Sequence, residues 1–197
     1  MKKNLITAIL MTIATTILLG IIYPLVVTGL AQLIFPDKAK GQLIEANGKT
    51  IGSRIIGQPF SSPGYFHSRP SAAGTNGYDP TSTNGSQYGP TNQKLIDRVK
   101  GDVAAAQADN PGKPVPIDLV TASGSGLDPE ITPAAADFQL ARVAKARGMT
   151  EDQLRHLVSK HTEGRQFGFL GEPRVNVLEL NLDLDRQYAL TKQAKVE

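Results

Sequence analysis

The hydrophobic residues of this chain are densest in one long uncharged stretch near its start. Between Lys3 and Asp37 no residue carries a charge. A helix of this length, rising about 1.5 Å per residue, exceeds the roughly 30 Å hydrocarbon core of a bilayer. The pattern predicts a tail and one membrane-spanning helix over residues 1–36, tilted or kinked at Tyr23-Pro24. Because the run is longer than a signal-peptide core and ends without a small-residue cleavage site, we expect an uncleaved anchor.

Small side chains recur at every fourth position of this helix, namely Ala8, Thr12, Thr16 and Gly20. In lipid, such a row lets another helix approach closely, and close packing is what drives association there. Such residues are also common in membrane helices, so one row can arise by chance. We expect this row to pack against a membrane partner.

After the anchor, residues 37–197 alternate between short periodic segments and turn-rich stretches, which predicts a soluble α+β domain of two or three helices packed on a small sheet. A β-hairpin is expected at residues 42–56 around Asn47-Gly48. A short strand is expected at residues 116–122. The alternation of Leu178, Leu180, Leu182 and Leu184 with polar residues predicts a half-buried strand that leaves Asp183 and Asp185 on its water-facing side.

Three helices are predicted by their boundary signals. One runs from a cap at Thr91 to Asp109, with Leu95, Val99 and Val103 on one face. A second has Thr132 as its N-cap, Pro133 at its first position and Gly148 as its stop. A third begins at Thr150, which forms a capping box with Gln153.

Residues 61–93 are dense in Gly, Pro, Ser and Asn, and a disordered linker is one reading of such a composition. The aromatic residues Tyr65, Phe66, Tyr78 and Tyr88 favour instead a packed, irregular loop that carries recognition.

The net charge of +3 does not indicate a nucleic-acid ligand, because without Lys2 and Lys3 the remainder is close to neutral and holds no basic cluster. Lysines flank both ends of the anchor, so charge alone leaves the orientation open. A short N-terminal tail is readily retained in the cytoplasm, so we expect residues 37–197 on the outer side. The absence of cysteine excludes disulfides and thiol chemistry.

The Ser/Gly-rich turn at residues 121–128 matches neither a phosphate-binding loop nor the Gly-x-Ser-x-Gly nucleophile elbow. Asp128, before Pro129, is typical of a turn. His67, His156 and His161 lack metal-ligand spacing. We therefore expect no catalytic residue and no metal site. The alternative is a membrane-anchored envelope hydrolase or binding protein that uses Ser123 or Ser125 in this turn.

Several segments in order along nearly the whole chain resemble KdpC, the C subunit of the bacterial high-affinity potassium-transporting ATPase. Besides "YP" in the anchor, they are "GYFHSRPSA" at 64–72, "GPTNQKL" at 89–95, "LVTASGSGLDPEITPAAA" at 119–136, "RVAKARG" at 142–148 and "GEPRVNVLELNLDLD" at 171–185.

The resemblance implies a non-catalytic, single-pass subunit of the inner membrane that joins a potassium-channel-like subunit to a P-type ATPase subunit. It also implies a catalytic chaperone that raises the ATP affinity of the ATPase subunit, with no cofactor of its own. Gln166 and Glu172, in the glycine-rich turn 161–173, are weak candidates for a nucleotide contact. Expected subunit contacts are Tyr65, His67, Arg69, Tyr88, Asn92, Ser125 and Asp128.

Overall fold

The computed structural model describes residues 1–46 and 48–188. The chain divides into two compact units, Met1–Ile51 and Gly52–Glu197. The first is largely helical. The second, here called the head, combines helices with a small antiparallel sheet, which confirms the α+β class.

The first unit is dominated by a continuous helix, Lys2–Ile34, whose most apolar window has a mean hydropathy of 2.5. It consists of α1 (Lys2–Thr15), a π-helical segment (Thr16–Ile22) and α2 (Tyr23–Ile34). By length and composition it is long enough and apolar enough to cross a membrane, and none of its residues is buried against the chain.

The irregularity expected at Tyr23-Pro24 is a wider turn just before the proline. The Tyr23 N–H donates to the carbonyl of Leu18, five residues back. Proline has no N–H for the carbonyl of Gly20, and its ring crowds that carbonyl. Lengthening the turn relieves the conflict without ending the helix.

A short helix, α3 (Pro36–Ala39), leads from the anchor to the hairpin. Strands β1 (Leu43–Ala46) and β2 (Lys49–Ser53) pair as a two-stranded sheet, which confirms the hairpin predicted at 42–56. Gly48 has φ of +72°, as a tight turn requires. Asn47, the other predicted turn residue, lies outside the described residues.

The sheet of the head is antiparallel and consists of β3 (Glu130–Ile131), β4 (Thr162–Glu163) and β5 (Arg174–Asn176). The middle strand is β5, so the order is β3-β5-β4. The strand predicted at 116–122 is wrong, since Ile117–Leu119 is a 3₁₀ turn. Asp118 explains it: its buried carboxylate accepts the N–H of Thr132 at 2.7 Å, which ties the turn to the start of the next helix.

The helices of the head are α4 (Gln93–Asp109), α5 (Pro133–Arg147), α6 (Glu151–Lys160) and α7 (Val177–Gln187). The predicted caps of α5 and α6 are confirmed, including the capping box of α6. The cap of α4 is Asn92 rather than Thr91, because the Asn92 side chain accepts the N–H of Lys94.

The predicted strand at Leu178–Leu184 is wrong: this segment is helix α7. Its N-cap Asn176 accepts the N–H of Glu179, and Glu179 itself lies in the first turn, where a negative charge is favourable. The buried residues follow helical spacing: Val177, Leu178, Leu180, Asn181 and Leu184. Leu182 is only half-buried. The described part of the head therefore has four helices instead of two or three.

The core of the head lies between α5, α6, α7 and the sheet. It includes one residue from the irregular loop, Phe66, which is fully buried. Its other large members are Ile131, Leu140, Val143, Leu154, Leu157, Val158, Val175, Val177, Leu180 and Leu184.

Leu184→Ala should lower the free energy of unfolding by about 2–5 kcal/mol, because Leu184 is fully buried and its loss leaves a cavity. Leu182→Ala is the matched control in the same helix and should lower it by less than about 2 kcal/mol, because that side chain is partly solvated. Denaturant unfolding of the full chain in detergent measures both. Equal losses, as expected for two neighbours on one face of a strand, would contradict the helix.

Candidate functional site

The irregular segment 61–92 contains no helix or strand, yet its first half is packed against the helices of the head. Phe66 is held by the side chain of Asn181 in α7. The Asn181 Oδ1 accepts the Phe66 N–H at 2.9 Å, and its Nδ2 donates to the Phe66 carbonyl at 2.9 Å. Because Asn181 is 1% exposed, this pairing satisfies polar groups that have no access to water.

The next residue, His67, is held in the same manner by Gln139 in α5. The Gln139 Oε1 accepts the His67 N–H at 2.7 Å, and its Nε2 donates to the His67 carbonyl at 3.1 Å. Two side-chain amides thus replace the main-chain partners that a sheet would supply. We call Asn181 and Gln139 the amide clamp.

Two arginines of α5 bind the carbonyls just before the clamp. Arg142 donates to the carbonyls of Pro63 and Tyr65. Arg147, whose side chain is 1% exposed, donates to the carbonyl of Gly64 at 2.6 Å. Its guanidinium lies 4.8 Å from the Tyr65 ring centre, a cation–π contact. The motif at 64–72 is therefore anchored by α5 and α7 at successive residues.

The second half of that motif is joined to the Ser/Gly turn. Arg69 pairs with Asp128 at 2.9 Å, and the Ser71 hydroxyl donates to the carbonyl of Gly126 at 2.6 Å. The Tyr78 hydroxyl donates to the carbonyl of Arg69. Asp128 also accepts the N–H of Glu130, which confirms it as a turn residue.

The glycine at position 126 of this turn is required by packing. Gly126 has φ of +70°, and a Cβ there would lie 2.6 Å from the Asn84 carbonyl oxygen and 2.8 Å from the Ala73 nitrogen. A side chain would therefore push the turn away from the loop. The glycine serves the joint between the two segments and does not form a phosphate cradle.

The serines of the turn lack the surroundings of a nucleophile. Ser123 is buried, and the exposed Ser125 accepts the N–H of Leu127 on its Oγ at 3.1 Å. A serine nucleophile needs a base within hydrogen-bond reach. Within the described ranges no histidine hydrogen bonds to either serine: His67 bonds to Ser62, His161 to Asp183, and His156 is exposed. This geometry counts against the hydrolase alternative.

Two titratable groups of the head, His67 and Asp183, have pKa values moved away from the neutral range that general acid–base chemistry needs. Burial lowers the pKa of His67, and the nearby charge of Arg142 lowers it further. Hydrogen bonds from His161 and Lys160 hold the pKa of Asp183 well below its usual range. His67 is thus a neutral ring at pH 7, and Asp183 is a structural carboxylate.

The prediction that Asp183 and Asp185 lie along a water-facing strand edge is wrong. The Asp183 Oδ2 lies 2.9 Å from both Lys160 Nζ and His161 Nε2. Asp185 pairs with Arg147 at 2.9 Å and accepts the hydroxyl of Tyr65 at 2.8 Å. Both carboxylates therefore tie α7 to neighbouring segments.

The weak nucleotide candidates, Gln166 and Glu172, lie in the hairpin that joins β4 to β5. Glu172 is paired with Arg165 through both of its oxygens, at 2.8 and 2.6 Å. It also borders a cleft of about 260 Å³ whose charged lining residues are Arg69, Arg174, Asp118, Asp128, Glu130 and Glu172. Carboxylates outnumber guanidinium groups there, so the local field disfavours a polyphosphate. No group of residues in the described part of the chain is suited to hold a metal ion.

The residues expected to contact other subunits differ in how far their own chain already engages them. Asn92 caps α4, His67 is held by the amide clamp, and Arg69 pairs with Asp128. Tyr88 is 41% exposed, and Ser125 also faces solvent. Their role as subunit contacts stays a prediction.

Sequence reasoning missed Asn181, Gln139, Arg142 and Arg147. The available signal was a polar residue among the apolar residues of a helix that faces the protein core, such as Gln139 between Phe138 and Leu140. That signal says a partner must exist, because a buried polar group is costly without one. It does not say that the partner is the main chain of a loop 72 residues earlier.

The family model described as "K+-transporting ATPase, c chain" matches residues 5–186. The chain belongs to the KdpC family. It is 70% identical over 185 residues to the potassium-transporting ATPase KdpC subunit of Koribacter versatilis, covering 94% of this chain and 95% of that one. It is 57% identical to the KdpC subunit of Acidobacterium capsulatum (94% and 100%) and 54% identical to that of Methylococcus capsulatus (90% and 95%).

Membership confirms the resemblance found in the sequence motifs. The chain is a KdpC subunit of a potassium-transporting ATPase complex, so its partners are other subunits of that pump. The N-terminal helix Lys2–Ile34 fits a single-pass membrane subunit.

Asn181→Leu should lower the free energy of unfolding by about 2 kcal/mol or more, because the N–H and carbonyl of Phe66 would be left buried and unpaired. Limited proteolysis should also cut the loop near Phe66 faster. Asn76→Leu, an exposed position of the same loop, is the control and should change stability by less than about 0.5 kcal/mol. Similar stability for both variants would show that the amide clamp is dispensable.

Proposed function

We propose that the chain is a non-catalytic accessory subunit that stabilises the assembly of a potassium-channel-like subunit with a P-type ATPase subunit. The observation that carries this proposal is the helix Lys2–Ile34, which has no buried side chain within its own chain. Lipid covers most of such a helix, and a subunit of a complex presents the remaining stripe to a partner.

The row Ala8, Thr12, Thr16 and Gly20 is the stripe that we assign to this contact. A Cβ placed on Gly20 would meet only the Thr16 methyl, at 3.8 Å, so the surface there is open to a neighbouring helix. Close approach of two backbones at small residues supplies van der Waals contact that lipid tails do not match.

The head supports an accessory role because its polar side chains serve its own structure. Asn181, Gln139, Arg142 and Arg147 all bind the main chain of the loop. The serine turn lacks a base, and Asp183 is occupied by Lys160 and His161. Because these side chains already have partners within the chain, they favour a protein-binding domain over a catalytic one.

We place the head on the outer side of the cell inner membrane, with the N-terminus in the cytoplasm. Under this proposal ATP and the head lie on opposite faces of the membrane. The catalytic-chaperone effect, a raised ATP affinity of the ATPase subunit, then acts through that subunit, and no nucleotide binds to this chain alone.

Gly20→Leu should reduce the other pump subunits recovered with the tagged chain by about tenfold, since a loss of roughly 1.4 kcal/mol of packing corresponds to that factor. Gly29→Leu is the matched control, since Gly29 lies in α2, beyond the π-helical segment and outside the row formed by Ala8, Thr12, Thr16 and Gly20. Purification from membranes in mild detergent measures both. Full recovery of the other subunits with Gly20→Leu would show that the small-residue row is not part of the interface.

The orientation has its own test. An alkaline phosphatase fused after Glu197 should be active, because this enzyme folds only outside the cytoplasm. A green fluorescent protein fused at the same point should be dark, because it does not become fluorescent when it is exported unfolded. The reverse result would put the head in the cytoplasm and make direct contact with ATP possible.

A further inference from the structure

The hairpin that joins β4 to β5 extends beyond the sheet as a narrow arm. Its base is held by main-chain pairing of Glu163 with Arg174, whose side chains also form an ion pair at 2.8 Å. Farther out, Gln166 and Leu170 exchange two main-chain hydrogen bonds of 2.9 Å. Residues 166–170 close the arm, and we call them the aromatic tip.

The aromatic tip carries the most exposed aromatic side chains of the described head. Phe167 is 87% exposed, Phe169 is 71% exposed and Leu170 is 48% exposed. Elsewhere in the head the phenylalanine at position 66 is fully buried. Contiguous exposed apolar groups of this kind mark interaction surfaces in soluble domains.

The backbone of the aromatic tip makes Phe167 an unfavourable residue for the isolated chain. Phe167 has φ of +54° and is followed by Gly168 at +82°. Tight turns with successive positive φ angles favour Asn, Asp or Gly, because the Cβ of a bulky residue crowds its own carbonyl there. An exposed phenylalanine in a left-handed conformation adds little to the packing of its own chain, and residues held in such conformations cluster at binding sites.

The backbone that carries these rings is held by contacts on both strands of the arm. One guanidinium nitrogen of Arg165 contacts both carboxylate oxygens of Glu172, just beside the aromatic tip. With the hydrogen bonds between Gln166 and Leu170, this pair holds both strands of the arm in register. A backbone ordered before binding lowers the conformational entropy that docking costs.

The charges of the arm distinguish a protein partner from a lipid surface. Peripheral membrane contacts combine inserted rings with free Lys or Arg that attract anionic headgroups. Here Arg165 pairs with Glu172, Arg174 pairs with Glu163 and Glu130, and Lys160 pairs with Asp183. These three cations are thus paired with carboxylates among the described residues, which favours an uncharged apolar socket on a protein over an anionic lipid surface.

We propose that the aromatic tip is a docking element that inserts Phe167 and Phe169 into an uncharged apolar socket on another subunit of the pump. This inference rests on the accessory function proposed above and adds a second contact, made by the head. Aromatic side chains that fill pockets carry a large share of the binding energy of protein interfaces.

Phe167→Asn separates docking from folding, because the two readouts should move in different directions. Asn tolerates a positive φ, so the thermal unfolding midpoint of the full chain should stay the same or rise. Recovery of the other pump subunits should fall by about tenfold, the effect of losing one central aromatic contact. Ile117→Asn, at a 73% exposed position of the head, is the control and should change neither.

A lower unfolding midpoint together with weaker recovery would assign Phe167 a structural role and overturn the inference. Full recovery with Phe167→Asn would overturn it as well. If even the unaltered chain fails to retain other subunits, the proposed accessory function fails first, so the two failures are distinguishable.

The chain has no cysteine, so Phe169→Cys provides a unique site for a polarity-sensitive dye. With the full chain alone in vesicles of phosphatidylethanolamine and phosphatidylglycerol, the emission wavelength should be that of a dye exposed to water. Adding the other pump subunits should shift the emission to the blue. A blue shift in the chain alone would identify lipid or a second copy as the occupant, and no shift in the assembled complex would leave the aromatic tip uncovered; either result contradicts the proposal.

Discussion

Thirty-three residues of helix, Lys2–Ile34, expose apolar side chains on every face, and water is a poor solvent for such a surface. Lipid is the environment that accepts this helix, since its main-chain groups are paired within it. The remaining features of the first unit follow from that constraint. Proline is accommodated by a wider turn at Thr16–Ile22 rather than by a break. Hydrophobic burial does not drive helix association in lipid, so we propose that the row of small side chains provides the packing surface.

The head meets a different constraint, which is to hold an irregular loop without a sheet. Asn181 and Gln139 each satisfy both main-chain groups of one loop residue, and Arg142 and Arg147 take up the carbonyls before them. Such a network rigidifies a surface and leaves few polar groups for chemistry. The aromatic tip is the opposite case, since Phe167 and Phe169 are largely exposed to solvent. A rigid head with engaged polar groups and unengaged rings suits a subunit that works by contact.

Local signals made much of this fold predictable. Thr132, Pro133 and Gly148 bound α5, and Thr150 with Gln153 starts α6, because each signal involves residues within one turn of a helix. The alternation of leucines at 178–184 led to the wrong prediction of a strand, because a helix can also bury most leucines spaced in this way. Asn176 followed by Glu179 was the capping signal that favoured the helix. The amide clamp could not be predicted, since Asn181 meets Phe66 across 115 residues and spacing carries no information at that range.

We propose that the membrane helix docks sideways onto other subunits along its small-residue row. Single cysteines placed one at a time from Ala8 to Thr28 in this cysteine-free chain, followed by cross-linking in the native membrane, test it most directly. Cross-links to other pump subunits should peak at every fourth position, in phase with Thr12, Thr16 and Gly20. Cross-links without periodicity, or none to any pump subunit, would contradict it.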